Sequence, residues 1–411
     1  MKGSEAPMKK IRERAFIQIV IIFLTLIIAN LWKDPGMIEL SAKAFLTVSI
    51  VFFIVMLVKV LKMKKDEQAA WAVNSFDDSL SVCITTVCKN EGETILNTVR
   101  HYMSFSDNVR FVLYDDHSTD GSFERLQEMM ETYKGRLVLK KLKKRDIQIH
   151  PKAFAVEDAF NEIDCDYFLV IDSDTVISET DFNHAICAMI NEKTDVLHIT
   201  RRNNLKPCLP CQMGDKEELM NMGLQLLRLQ PANFPGSGYF VRATLVRDFK
   251  YDEDSLSEDN YFLKAIKRKT DKIEFFLTLT ASERAPETFG DFVKQRVNWL
   301  KLGIPYYLKQ ELSLMTLGNI LFTLIFSALF NPFSPGLVFI ASCTGVILGM
   351  QLAFAVALTH ENPLKTLYHT LCYLLTIGYV LGFVYFWLQI MISAGKSRFA
   401  VKKNCMGENG V

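Results

Sequence analysis

Val109-Arg110-Phe111-Val112-Leu113-Tyr114-Asp115-Asp116-His117-Ser118-Thr119-Asp120-Gly121-Ser122 decides how this chain folds. Val109 to Tyr114 is an apolar, β-rich run, and the residues after it are turn formers that end it abruptly. A second apolar run, Tyr167 to Ile171, ends the same way in Asp172-Ser173-Asp174. Ligands of open α/β sheets bind outside the carboxyl ends of strands, so both acidic clusters stand where a ligand would be held. Working outward, Ser81 to Val87 is rich in β-branched residues and predicts a buried strand, and Lys89-Asn90-Glu91-Gly92 turns the chain into a helix over Glu93 to Met103. Helices are predicted over Phe123 to Tyr133 and Ala153 to Glu162, with a strand over Arg136 to Lys140 between them. Strands alternating with helices imply an α/β fold with a doubly wound parallel sheet.

Each acidic motif also has a plain structural reading. Asp115 and Asp116 lead into a polar βα turn in which Asp120 or Ser122 could cap the next helix. Asp172 and Asp174, two residues apart beyond a buried strand, repel each other unless a cation or hydrogen-bond donors compensate. A hard divalent cation, Mg²⁺ or Mn²⁺, suits such oxygen ligands. Ser257-Glu258-Asp259 opens a predicted helix, Asn260 to Lys267, with Ser257 as N-cap and the carboxylates at the positive helix end. A carboxylate fixed there is also a well-placed base. His101, His117, His150 and His198 show no metal-ligand spacing and receive no chemistry. Cys208 and Cys211 have the spacing of half a zinc site, but no second pair completes it, so reduced cysteines in a proline-containing loop are expected.

Of the 411 residues, 49% are hydrophobic, and the formal net charge is +1, which leaves no electrostatic case for nucleic-acid binding. Ala15 to Leu31 and Ala44 to Val58, the latter extending to Leu61, approach the ~20 residues of a membrane span. Leu312 to Phe333, Pro335 to Thr359 and Tyr368 to Ser393 are three more candidates. Lys9, Lys10, Arg12 and Arg14 precede the first span, and Lys59, Lys62, Lys64 and Lys65 follow the second. By the positive-inside rule both ends of this hairpin, and the domain after it, are cytosolic. Three further spans would place Lys396, Arg398, Lys402 and Lys403 outside; either one segment lies in the interface or the rule fails there. The expected organisation is a membrane hairpin over 1–65, a cytosolic domain over 66–285, an interfacial amphipathic helix region over 286–311, about three transmembrane helices over 312–395, and a basic tail over 396–411.

The order of these motifs over roughly residues 80 to 305, ending in Gln295-Arg296-Val297-Asn298-Trp299, resembles the membrane-bound family 2 glycosyltransferases, which include cellulose, chitin and hyaluronan synthases. The resemblance implies a nucleotide-sugar-binding, GT-A type cytosolic domain with flanking transmembrane helices in the cell membrane. It implies that Asp115 accepts a hydrogen bond from the base, with Thr86, Glu91, Asp116, Lys152 and Asp172 on the nucleotide side. Asp174 and Asp172 would hold Mg²⁺ or Mn²⁺ against the diphosphate, although a snorkelling surface role for Lys152 is equally open. Asp259, with Glu258 beside it, would deprotonate the acceptor in an inverting displacement. Gly236-Ser237-Gly238-Tyr239-Phe240-Val241-Arg242 would line the acceptor side. Gln295, Arg296 and Trp299 would meet the acceptor or diphosphate, but Asn298 stands where the family's Gln-Xaa-Xaa-Arg-Trp signature has Arg. The expected partners are a nucleotide-sugar donor, with a UDP-sugar preferred, a saccharide or lipid acceptor, and membrane lipids. Two rivals remain: transfer of one sugar to a ceramide or polyprenyl phosphate, and a non-catalytic membrane scaffold.

Overall fold

The computed structural model describes residues 36–71, 80–143, 150–203, 208–227, 238–251, 258–308 and 335–376. Contacts divide the chain into two compact units, one built from 59–207 with 221–285 and the other from the described parts of 1–58, 208–220 and 286–411.

The first unit is built on an eight-stranded sheet of order β3-β2-β1-β4-β7-β6-β8-β5. Its strands are β1 (Val82–Cys88), β2 (Val109–Asp115), β3 (Leu137–Lys141), β4 (Tyr167–Ile171), β5 (Val176–Ile177), β6 (Val196–Asn203), β7 (Gly238–Arg242) and β8 (Ile273–Glu283). Strands β3, β2, β1 and β4 are parallel, as the alternation of strands and helices predicts. The rest of the sheet departs from that expectation. β7 runs antiparallel to both β4 and β6, and β5 antiparallel to β8, so the sheet is mixed. β7 turns straight from its last residue into the helix Ala243–Val246.

Side-chain alternation along these strands feeds two cores. Val82, Ile84, Phe111, Leu113, Leu169 and Ile171 point to one face, while Cys83, Val112, Tyr114, Phe168 and Val170 point to the other. Helices α2 (Gly92–Met103), α3 (Ser122–Thr132) and α5 (Glu179–Asn191) cover the first face. Helices α4 (Pro151–Glu162), α7 (Ala243–Val246) and α8 (Glu258–Ile266) cover the second. Strands buried on both faces are what the near-continuous apolar runs require. The predicted strand over Tyr167 to Ile171 is reproduced residue for residue, and the other predicted elements of this region shift by one or two residues.

β8 is the irregular member. Its register with β6 jumps between Ile199↔Phe276 and Thr200↔Thr280, leaving Leu277, Thr278 and Leu279 outside the ladder. Their backbone donors still need partners. Glu67, only 2% exposed, supplies two of them: its carboxylate accepts from Leu277 N at 2.6 Å and from Thr278 N at 3.0 Å. Glu67 lies on α1 (Gly36–Trp71), a single 36-residue helix. The basic run after Leu61 therefore continues the helix instead of ending it, and the expected domain boundary at 65/66 falls inside this element.

In the second unit α1 contributes its first half. α10 (Pro335–Phe354), extended by a π-helical turn over Ala355–Thr359, packs there through Gly345 and Gly349. A Cβ on Gly349 would meet Ser49 O at 2.5 Å, so the two backbones touch where only glycine fits. α1 and residues 340–359 are long and apolar enough to cross a membrane. The expected spans over Ala15 to Leu31 and Leu312 to Phe333 lie outside the described residues. So does most of the one over Tyr368 to Ser393, whose described part belongs to a helix over 363–376. α9 (Phe289–Leu308) buries Phe292 and Arg296 on one face. α6 (Leu209–Leu226) begins at a disulfide between Cys208 and Cys211. That corrects the expectation of reduced thiols: the two residues stand at the start of a helix, with Cα atoms 5.4 Å apart, within disulfide reach.

Candidate active site

The strand order places β1 beside β4, with β2 and β3 continuing on the far side of β1. Connections leave the sheet in opposite directions at this point, which opens a crevice at the carboxyl ends of β1 and β4. Glu91 follows β1, Asp115 ends β2, and Asp172 and Asp174 follow β4. The fold thus brings together acidic residues that are distant in the chain.

The loops after β1 and β2 are laced into one rigid wall. Asn90 N donates to Ser118 Oγ at 3.0 Å, and Asn90 Oδ1 accepts from Thr119 N at 2.7 Å. Gly92 N donates to Asp120 Oδ2 and Ser122 Oγ, both at 3.0 Å. Asp120 Oδ1 also accepts from Ser122 N, so the acidic turn does organise the start of α3, with Gly121 at φ 81° as its N-cap. Asp115 is buried, and its carboxylate accepts from Ser118 N at 3.2 Å. Asp116 pairs with Lys89 at 3.2 Å, and Thr86 is buried at the end of β1.

Lys152 organises the other wall. It is 4% exposed, which overturns the surface-lysine reading, and it lies in the first turn of α4. Its ammonium donates to Asp172 Oδ1 and stands 3.9 Å from Glu258 Oε1. Burial alone would lower the Lys152 pKa, but Asp172, Glu258 and Asp259 together raise it, so the ammonium stays charged. Burial pushes the Asp172 carboxyl up, and Lys152 more than reverses this and holds it below the ordinary value. His150 caps α4 by accepting from Lys152 N at 3.3 Å, and its ring lies 3.9 Å from Glu258. Tyr239 stacks on Phe262 of α8 with centroids 4.7 Å apart, behind Glu258 and Asp259. Ser257, the expected N-cap, lies outside the described residues, as do Gly236 and Ser237.

Asp174 and Glu91 have the opposite electrostatics. Burial raises the Asp174 pKa, and the charge of Asp172 raises it further, against a 3.3 Å hydrogen bond from Arg284 N. Burial and the charge of Asp174 likewise raise Glu91, despite a hydrogen bond from Ser173 and the nearby Arg284. This pair sets like charges on hard oxygen atoms side by side, against only partial relief from Ser173 and Arg284, which suits a divalent cation. Among the described residues no group of three or more His, Cys, Asp or Glu surrounds a common metal position. A cation held here would complete its shell with phosphate oxygens and water, the habit of Mg²⁺-type sites.

Gln295 and Arg296 lie on α9 in the other unit. Arg296 is 3% exposed; its Nε donates to Glu217 Oε2 at 2.6 Å, and its guanidinium also meets Gln295 Oε1. It lies 4.2 Å over the Phe292 ring. Trp299 continues the same helix. Sequence reading missed Arg284, assigned His150 no chemistry, and placed Tyr239 in the acceptor-lining segment without its stack on Phe262. Each of these roles is defined by a partner far along the chain.

The family profile of "Glycosyl transferase family group 2" matches residues 167–392, and that of "Glycosyl transferase family 2" matches residues 81–248. No curated protein matches the chain. Among solved structures it is similar to the mannosyltransferase PcManGT from Pyrobaculum calidifontis in complex with GDP-Man and Mn²⁺. The identity is 16%, covering 87% of this chain and 98% of that one, with a TM-score of 0.46. It is also similar to S. aureus TarS 1-349 in complex with UDP, at 13% identity over 66% of this chain and 90% of that one, with a TM-score of 0.38. Likeness at this level is loose, and the architecture above stands on its own strand order and two cores.

Proposed function

The chain belongs to glycosyl transferase family group 2 and is a glycosyltransferase, and from that premise we propose that it moves a sugar from a nucleotide-sugar to an acceptor at the cytosolic face of a cell membrane. The observation that carries this reading is the bridge of Lys152 between Asp172 and Glu258. It ties the β4 loop, which would receive the diphosphate, to the start of α8, which would receive the acceptor.

Asp115, held by Ser118 at the end of β2, faces the base, with Thr86, Glu91 and Asp116 around the nucleoside. Asp174, with Asp172 beside it, would hold Mg²⁺ or Mn²⁺. When bound, that cation neutralises charge on the departing nucleotide diphosphate. Lys152 keeps Asp172 ionised and holds Glu258 in place. Asp259, in the first turn of α8, takes the proton from the acceptor hydroxyl as the oxygen attacks the anomeric carbon. Displacement from the face opposite the leaving group inverts that carbon.

The acceptor is a growing saccharide or a membrane lipid. The two apolar helices long enough to span a bilayer support an enzyme that works at a membrane. The carboxylates at 115, 174 and 259 argue against a non-catalytic scaffold. The test incubates the purified full-length protein with a panel of radiolabelled nucleotide-sugars and Mn²⁺, then separates lipid-linked from saccharide product. Transfer from one donor, abolished by EDTA and by Asp174→Asn, is expected. Undiminished transfer in both cases overturns the metal assignment, and no transfer from any donor overturns the reading.

A further inference from the structure

Cys208-Leu209-Pro210-Cys211 plays no part in the chemistry above, and we propose that it is a redox-active dithiol that controls how the segment entering α9 is anchored. Among the described residues this is the only bonded cysteine pair. Cys83, Cys88, Cys165 and Cys187 are buried and form no disulfide, and Cys83 and Cys165 are close enough to hydrogen-bond. Disulfides in a cytosolic compartment are as a rule transient and redox-sensing. That compartment rests on the proposed function, whereas the chemistry of the pair does not.

Three features suit the pair to exchange. The two cysteines sit at the first turn of the 18-residue helix α6, where exposed backbone N–H groups favour a thiolate. Cys211 N points at Cys208 Sγ from 3.3 Å, so the sulfur that would carry the negative charge already faces a donor. Cys208 is partly accessible while Cys211 is 1% exposed, which separates an attacking from a resolving sulfur. The reaction with a low-molecular-weight disulfide balances. The Cys208 thiolate attacks one sulfur of that disulfide and expels one thiolate. Cys211 loses its proton to solvent, attacks Cys208 Sγ and expels the second thiol.

The switch lies in what the sulfurs face. Cys208 Sγ and Cys211 Sγ stand 3.9 and 3.7 Å from the carbonyl oxygen of Pro286. As thiols both can donate to it; as a disulfide neither has a proton to give. Pro286 lies three residues before α9 (Phe289–Leu308), the helix that bears Gln295 and Arg296. Reduction therefore adds donors to the anchor of that helix, and oxidation removes them.

Differential alkylation and mass spectrometry of the full-length protein, equilibrated across reduced-to-oxidised glutathione ratios, reads the pair directly. The fraction disulfide-bonded is expected to change at least about tenfold across the series and to return on reversal. A pair locked in either state at every ratio overturns the proposal. Hydrogen exchange of the peptide covering 284–296 is expected to be about two- to fivefold slower in the reduced protein. Identical exchange in both states overturns the anchoring role. Cys208→Ser cannot form the bond and is expected to exchange alike at every ratio; a ratio-dependent change in that variant also overturns it. Neither readout needs a donor or acceptor, so failure here is distinct from failure of the transferase reading.

Discussion

Lys152 holds two carboxylates from different elements, Asp172 after β4 and Glu258 on α8, and its own burial makes this contact costly to lose. Asp259, next to Glu258 in the first turn of α8, is the proposed base. Asp259→Asn is expected to bind donor almost normally and to lose ~10²–10⁴-fold in turnover, the range for general base catalysis. Single-turnover kinetics beside donor titration checks this, and a loss of stability in place of rate would assign the residue to the helix start. Asp158, outside the site, offers a pH test. Burial pushes its carboxyl up, but the Tyr114 hydroxyl at 2.8 Å and Lys140 at 3.2 Å outweigh this and hold it below the ordinary 3.8. A depressed folded pKa stabilises the protein above the unfolded value, and the gain is lost as pH falls through the folded one. Asp158→Asn is expected to cost about 1–2 kcal/mol at pH 7. The gap from the parent protein should close as pH falls below 3.8, which denaturant melts along a pH series would show.

Among the elements, β8 depends on a distant helix. Three of its residues leave the β6 ladder, and Glu67 of α1 takes up the N–H groups of Leu277 and Thr278 as well as the Thr278 hydroxyl at 2.5 Å. Asp181 of α5 accepts from Thr280 N at 3.3 Å, where the ladder resumes. The bulge is thus held by side chains from two helices. Glu67→Ala leaves two backbone donors unpaired at a buried site and is expected to cost about 2–4 kcal/mol. Faster hydrogen exchange confined to 277–280 would accompany it. Glu67→Gln keeps one acceptor oxygen and should recover part of the loss. A variant as stable as the parent would mean that water replaces the carboxylate.

For the whole molecule the open property is product length. Processive synthesis needs a product that stays bound between additions, and a hydrophilic chain needs hydroxyl partners along any apolar passage. Pro335 to Thr359 offers few polar groups, with Ser342, Thr344 and Gln351 among them. Two of these turn inward on the protein itself: Ser342 Oγ donates to Val338 O, and Gln351 Nε2 to Lys216 O. Arg296 is committed to Glu217, and Asn298 supplies no charge. A short product is therefore expected on size exclusion of labelled material. High-molecular-mass polymer from the purified protein alone refutes this, and Trp299→Ala should then shorten that polymer.

The parallel half of the sheet was legible because its cues are local. Runs such as Tyr167 to Ile171 are buried on both faces, and the turn residues after them allow nothing but a strand end. The acidic clusters were legible for the same reason, since a carboxylate just beyond a buried strand has few places to point. The antiparallel insertion of β7, the bulge in β8 and the disulfide at Cys208 were not. The first two depend on partners chosen by tertiary packing, and a short apolar strand pairs in either direction with equal local propensity; the cysteine spacing was legible, but the helix start that brings the two sulfurs together decides that they bond. The same holds inside the site. Sequence supplies the charges of Lys152, Asp172, Asp174 and Glu258, but only folding determines which carboxylate receives the buried ammonium.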